Sequence, residues 1–327
     1  MKFALLTVTY GGLFYSGKAL SIEEQILKAK ALGFDALAIE TKRPVAFPID
    51  LKKSDRARIK SVATDNGIAL CAVESMSNFT SRYMEDRENN LVMMRSVLDL
   101  AKDLGVGMVK IFAAWPGLVN DEEAIAIYAQ YERGNHFKRL YPADLRKWKR
   151  AVEGIREVAD WASDMGITLV LQNHAPVLTP GYEDVLSMTR EVDRKNVKIC
   201  LDVPLFYDRQ SDEYVREAVT ACRDHLVYTH FGAWNFSENK NGEVVQDPAP
   251  SFGGRINYEV FLSGLQQIGY DGYLASEYCL PVLKDHNVAG IEEVDRANRM
   301  ALKYMKGILG APKSPKGDLG VRVSLAT

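Results

Sequence analysis

Hydrophobic and polar positions follow two rhythms along the chain. Short apolar runs recur at residues 3–9 (FALLTVT), 35–41, 69–75, 108–113, 168–174, 197–203, 226–231 and 272–278, most with a polar residue at the C-terminal end. Near-continuous apolarity predicts parallel strands covered on both faces, because a strand with one wet face would alternate strictly. Between these runs the apolar spacing lengthens to the period of an amphipathic helix, most clearly at 21–33, 90–104, 143–165, 258–268 and 291–308. The first of these opens with Ser21 and Glu24, spaced as a capping box. The phrases AKALGFDAL, AKDLGVGMV, ASDMGITLV and LQQIGYDGYL share one grammar: a helix end, a glycine free to take a positive φ, then a strand. Eight such units predict an α/β fold of the TIM class, a (β/α)8 barrel over residues 1–308, with 309–327 as a C-terminal tail. A doubly wound open sheet is the competing arrangement, but Tyr10-Gly11-Gly12-Leu13-Phe14 does not match the G-x-G-x-x-G turn common in that class.

Two strand–helix connections are long. One spans 114–141, with Trp115, Tyr128, Tyr131, His136, Phe137 and Tyr141, and the other 232–257, with Trp234, Phe236 and Phe252. They follow the fourth and seventh strands, so they belong at the C-terminal mouth, where barrel active sites lie, and read as lids. Trp115 and Trp234 are therefore candidates for substrate contact, as is Arg255 in the Gly253-Gly254-Arg255 turn.

Charge and cysteine content narrow the class of partner. With 41 basic and 43 acidic residues the formal net charge is −2, which removes the basic excess a nucleic-acid partner requires. No apolar stretch reaches the roughly 18 residues of a membrane span. Cys71, Cys200, Cys222 and Cys279 form no C-x-x-C pair and read as free, mostly buried thiols in a reducing compartment. The opening Met1-Lys2-Phe3-Ala4-Leu5-Leu6 lacks a cleavage pattern and reads as a first strand, so a cytoplasmic location is expected.

The chemistry is concentrated at the ends of the later strands. The fifth ends Gln172-Asn173-His174, the sixth ends at Asp202, the seventh carries His230 and the eighth ends at Glu277. In a barrel, side chains at equivalent heights on adjacent strands converge. Gln172, Asp202, His230 and Glu277 together make an octahedral divalent-metal site with positions left for substrate oxygens, Mn2+ foremost, with Mg2+, Co2+ or Zn2+ as alternatives. Taken singly, an acidic residue at a strand end caps the next helix as readily as it binds a metal, and a single histidine is more often structural. His174, two residues beyond Gln172 and on the same side of the strand, is a candidate base, with Glu277 second. Glu74 and Lys110, on the third and fourth strands, are a candidate substrate contact and a candidate catalytic lysine. Lys110 either pairs with Glu74 or forms a Schiff base.

The series QNH (172–174), CLDV (200–203), YTHF (228–231), GGRINY (253–258) and GYDGYLASEY (269–278) resembles the sugar isomerase/epimerase family of xylose-isomerase-like TIM barrels across residues 1–308. That family includes ketose 3-epimerases, hydroxypyruvate isomerase, inosose dehydratase and, more distantly, endonuclease IV. The resemblance implies that Asp202, His230 and Glu277 are metal ligands. It also exposes two departures. The family's fifth strand usually ends E-N-H, and here Gln172 stands in place of the Glu. Its amide oxygen can bind a metal, but it cannot act as a base. Leu205 occupies the position of the histidine in the family's D-x-x-H. The epimerases use two metal-bound carboxylates to carry protons between opposite faces of the substrate, and Gln172 removes one of them. The expectation leans to a lyase, with β-elimination on a keto-sugar or keto-glycoside, similar to the 3-keto-glycoside lyases and the larger subunit of the C-glycoside deglycosidases. A sugar isomerase or epimerase working through an enediolate is the alternative, and a non-catalytic sugar-binding barrel is the alternative of another class. DNA repair of the endonuclease IV kind needs more histidines than the five present. A homo-oligomer is expected, and the resemblance leaves open a small β-rich second subunit.

Overall fold

A computed structural model describes residues 1–115, 145–174, 178–206, 211–233, 236–246, 256–279, 283–284 and 287–310. Its strands, in chain order, are β1 (Lys2–Leu6), β2 (Ala36–Glu40), β3 (Ala69–Glu74), β4 (Met108–Ile111), β5 (Thr168–Gln172), β6 (Val197–Asp202), β7 (Leu226–Gly232), β8 (Phe236–Glu238), β9 (Val244–Gln246), β10 (Tyr273–Glu277), β11 (Leu283–Lys284) and β12 (Asn287–Val288). β1 to β7 and β10 close into one parallel barrel in the order β1-β10-β7-β6-β5-β4-β3-β2. The helices α1 (Ile22–Leu32), α2 (Lys53–Asp65), α3 (Met84–Leu104), α4 (Leu145–Asp164), α5 (Tyr182–Val192), α6 (Asp212–Cys222), α7 (Tyr258–Gln267) and α8 (Ile291–Gly310) complete the described elements. No helix among the described residues is long and apolar enough to cross a membrane.

Strand alternation divides the core in two. Leu5, Leu37, Ile39, Val73, Val109, Leu169, Leu171, Ile199 and Leu201 belong to one cluster, with the buried faces of the helices. Ala4, Ala36, Ala38, Ala72, Val170, Cys200, Tyr228 and Ala275 form the second, inside the barrel. Alanine is the commonest residue of this inner cluster, at five positions. That leaves volume for the few large side chains that enter it, among them Tyr228 and Lys110, both fully buried.

The predicted elements and the structure differ in instructive places. The first strand stops at Leu6, and Thr7–Tyr10 turn into a short 3-10 helix, in which the Thr7 Oγ1 accepts the backbone N–H of Glu40 at 2.8 Å. Helices α2, α5 and α6 were not picked out by the periodicity. In α2 just Ile59 and Ala63 are buried, so its apolar stripe is too thin to read. The 232–257 connection carries a hairpin, β8 paired antiparallel with β9, around an Asn241-Gly242 turn. The chain meant as a tail begins with the end of α8, which runs to Gly310. Most of the 114–141 connection and residues 311–327 lie outside the described residues. At Gly33 and Gly105 the predicted grammar holds: both take left-handed φ (87° and 75°), and their N–H groups close the last turns of α1 and α3.

The segment after β3 is pinned by the residues after β4 and by α4. Ser77 O accepts the Trp115 N–H and Asn78 Nδ2 donates to Trp115 O, each at 2.9 Å. Arg150 of α4 donates to Thr80 O. Phe79 packs beneath α4 at Gly154, where a Cβ would lie 2.8 Å from the Phe79 Cδ1 and 3.1 Å from its Cβ. Gly154→Ala gains about 1 kcal/mol of helix propensity, but overpacking costs about 1–3 kcal/mol. We expect a net loss of stability, read as a lower urea midpoint with an unchanged slope.

Candidate functional site

The polar ends of β5, β6, β7 and β10 meet inside the mouth of the barrel. The register sets Asp202 beside His230 and Gln172 beside Cys200, one inward position deeper. Ligand atoms of Asp202, His230 and Glu277 all lie within 4.8 Å of one another. His230 Nδ1 is 3.4 Å from Glu277 Oε2 and 3.7 Å from Asp202 Oδ2. Gln172 Nε2 donates to Asp202 Oδ2 at 2.5 Å and lies 3.4 Å from His230 Nδ1. Two acceptors in this cluster, Gln172 Oε1 and Asp202 Oδ1, are buried and have no hydrogen-bond partner among the described residues. Unpaired buried acceptors beside two carboxylates and an imidazole fit a hard divalent cation. A half-turn of the Gln172 amide exchanges its oxygen and nitrogen, turning the oxygen toward the cluster as a cation requires.

The other ring nitrogen of His230 faces away from the cluster. His230 Nε2 is 3.2 Å from Glu74 Oε1, which also accepts the Tyr228 hydroxyl at 2.7 Å. Lys110 Nζ is 3.1 Å from Glu74 Oε2. Glu74 engages His230 at Nε2, the carboxylate–histidine arrangement that orients metal ligands, and the surrounding acidic groups favour the protonated ring, so a cation at the cluster would take the place of the Nδ1 proton. Burial pushes the Glu74 carboxyl up, but Lys110, His230 and Tyr228 together outweigh it and hold the group down at about 2. Burial and the Glu277 charge push Asp202 up to about 6. Burial also opposes ionisation of Glu277, yet His230 and His174 outweigh it and hold that carboxyl below its usual range. The cluster is thus an excess of negative charge around one imidazole, which a cation would neutralise.

An aromatic corner fixes the neighbouring wall. Phe112 stacks on Trp115 with centroids 4.7 Å apart, and the His174 ring stands perpendicular to both, at 5.4 and 5.0 Å. Lys110 Nζ lies 3.8 Å from the Phe112 centroid on its way to Glu74. His174, Trp115, Gln172, His230 and Glu277 line one cavity with Leu6, Phe14 and Glu40.

Of the residues singled out in the sequence, the structure gathers Gln172, Asp202, His230, Glu277, His174 and Trp115 at the mouth. Glu74 is 1% exposed, with both its oxygens engaged, and lines the floor of the same cavity. Lys110 pairs with Glu74, the first of the two roles its position offered, and lines the same cavity. Trp234 and Arg255 lie outside the described residues. Two contributors were missed. Asn173 clamps the backbone of Asp202, accepting its N–H at 2.8 Å and donating to its carbonyl at 3.1 Å. Tyr228 supports Glu74. Its position two residues before His230, on the same strand face, is the signal that would have found it.

The closed barrel and this cluster define the class, a TIM barrel with a polar cluster at the strand ends that could hold a metal ion. The chain belongs to the xylose isomerase-like TIM barrel family, which matches residues 26–299. It is 26% identical over 187 residues to a fructoselysine 3-epimerase of Escherichia coli O157:H7, covering 55% of this chain and 58% of that protein, so it matches under two thirds of that relative's length. It is 25% identical over 260 residues to a D-psicose 3-epimerase of Ruminiclostridium cellulolyticum, covering 77% and 76%. Among solved structures, D-psicose 3-epimerase with D-tagatose from Clostridium cellulolyticum H10 superposes with a TM-score of 0.67 at 21% identity, over 94% of this chain and 99% of that one. The 3-keto-D-glucoside 4-epimerase of E. coli gives 0.64 at 16%, over 94% and 99%. The IolI protein with a bound zinc gives 0.66 at 16%, over 94% and 98%. At these identities the structures show a shared fold.

Replacing Lys110 with Met leaves Glu74 buried without its cation. We expect a loss of about 3–5 kcal/mol, the cost of breaking a buried pair, measured by denaturant unfolding near neutral pH. Because the Glu74 carboxyl is depressed in the folded state, this contribution is present above the ordinary carboxylate range and fades as the pH falls toward about 2.

Proposed function

We propose that this protein is a divalent-metal-dependent enzyme that removes the proton next to a carbonyl on a sugar-like substrate and works as an isomerase or epimerase through an enediolate. The observation that carries this reading is the convergence of Asp202, His230 and Glu277 within 4.8 Å, with buried unpaired acceptors on Gln172 and Asp202. Asp202, His230 and Glu277 would hold the ion, with Gln172 joining through its oxygen after the amide turns. Bound there, a divalent cation supplies positive charge for the oxygens of the developing enediolate. The names of the relatives, epimerases acting on ketoses and on a 3-keto-glucoside, support isomerisation or epimerisation over the elimination expected from the sequence.

The residues of this chain divide the work. Glu74, locked by Lys110 and Tyr228, orients His230. Asn173 fixes the height of Asp202. His174, held by Phe112 and Trp115 on the cavity wall, is the base that takes the proton, with the second oxygen of Glu277 as the other acceptor in reach of the substrate. Trp115, on the cavity wall, contacts the substrate and excludes water, and Trp234 and Arg255, outside the described residues, stay candidates from the sequence. β-Elimination on a keto-glycoside is the second reading, and Gln172 favours it: a neutral amide replaces one of the two carboxylates that a symmetric epimerase uses.

Two measurements test this reading. Calorimetric titration of chelator-stripped protein with Mn2+ should give about one site, and Asp202→Ala should weaken binding by at least about tenfold. The absence of Mn2+, Mg2+, Co2+ and Zn2+ binding to the parent protein would overturn the metal-dependent mechanism. With Mn2+ and a ketohexose, His174→Gln should slow exchange of the substrate's α-proton by about 100-fold or more, leaving Mn2+ affinity unchanged. Exchange at the parent rate would take the role of base from His174 and give it to Glu277.

A further inference from the structure

One carboxyl group facing the cavity has no task in the mechanism above. Glu40 ends β2 and lines the same cavity as His174, Gln172, His230 and Glu277. In the ring of eight strands β2 stands four places from β6 in either direction, so Glu40 lies directly across the mouth from Asp202. Its backbone is well satisfied, its N–H bonding to Thr7 Oγ1 and its carbonyl accepting the Lys42 N–H at 2.9 Å. Its carboxyl oxygens accept no hydrogen bond and form no ion pair among the described residues, although the residue is 8% exposed. A structural carboxylate at that depth is ordinarily hydrogen-bonded or paired, as Glu74 on the adjoining strand is. The charged groups around Glu40 are Lys42 beyond its own strand, Lys110 on β4, Glu74 on β3 and Glu277 on β10. Burial raises its carboxyl above the usual range, with both lysines opposing. It is therefore suited to carry a proton that it can give away.

The geometry points to Glu40 as the second proton-transfer group, delivering a proton to the substrate from a different side of the cavity than His174, which follows β5, three strands away. It takes the place of the carboxylate lost at position 172, and it rests on the enediolate reading above. In the first step the C–H bond next to the carbonyl breaks. The proton goes to the base and the electron pair forms the C=C of the enediolate, with the charge on oxygen. In the second step the enediolate electron pair forms a new C–H bond with the proton of Glu40, the carbonyl is restored and Glu40 is left ionised. Delivery to the same carbon gives an epimer, and delivery to the former carbonyl carbon gives the isomer. Exchange with water resets both groups, so no oxidant or further reactant is consumed.

The test follows Mn2+-loaded protein with D-fructose and D-psicose in D2O, reading by NMR both deuterium entry at the substrate's α-carbon and product formation. In the parent protein both occur. In Glu40→Gln, product formation should fall by about 100-fold while deuterium entry into unreacted substrate stays within about threefold. Mn2+ affinity and the unfolding midpoint should match the parent. Glu40→Ala should behave alike, and added formate should restore part of its product formation, a rescue that a structural role would not give. Product formation within about threefold of the parent in Glu40→Gln overturns the assignment alone. A parallel fall of exchange and product also overturns it, because Glu40 would then act on binding or on the first step. If the parent protein shows neither exchange nor product, the enediolate reading itself fails and the role of Glu40 falls with it.

Discussion

A carboxylate buried inside the barrel governs the arrangement above it. Glu74 would be costly at 1% exposure without compensation, and three groups supply it: the Lys110 ammonium, the Tyr228 hydroxyl and the Nε2 proton of His230. Each is constrained in return. Lys110 is committed to the barrel interior, Tyr228 fills the lumen beside it, and the imidazole is held at Nε2 with Nδ1 turned to Asp202 and Glu277. The alanines at 4, 36, 38, 72 and 275 belong to the same solution, because a lumen packed with larger side chains would have no room for a tyrosine and a lysine.

The same network reaches the wall of the cavity. Lys110 lies against the face of Phe112, Phe112 stacks on Trp115, and His174 stands edge-on to both rings. The floor of the site and the proposed base thus share a continuous set of contacts. From the outer side, Ser77 and Asn78 hold the Trp115 backbone, and the segment carrying them is pressed under α4 at Gly154. Precise placement of a base needs such support, since a displacement of about 1 Å is enough to cost a large part of a proton-transfer rate.

Gln172 changes the charge of the cluster more than its shape. An amide can donate to Asp202 where a carboxylate would repel it, so the cluster tolerates burial with one fewer negative charge. The price is the loss of a proton carrier on that side. Across the mouth, Glu40 is a carboxyl without a structural partner among the described residues. The two features together describe a site whose proton-carrying groups are distributed differently from a pair of metal-bound carboxylates.

All eight barrel strands were legible along the chain to within a few residues, because a strand buried on both faces writes a continuous apolar run whatever its neighbours are. The capping box at Ser21, the left-handed glycines closing α1 and α3, and the polar residues Gln172, Asp202, His230 and Glu277 at successive strand ends were legible for the same reason: each depends on local backbone geometry or on strand periodicity. Helix α2, with two buried residues, and the α5 and α6 helices were not, since a thin apolar stripe is defined by what it packs against. Three-dimensional closure decided the rest. It tied Glu74 and Lys110 to each other and to Tyr228 and His230, residues more than 100 positions away. It also set Glu40 opposite Asp202. A sequence fixes which residues stand at the ends of strands. Which charges neutralise one another, and which is left to act, depends on distances across the barrel that exist once the sheet has closed.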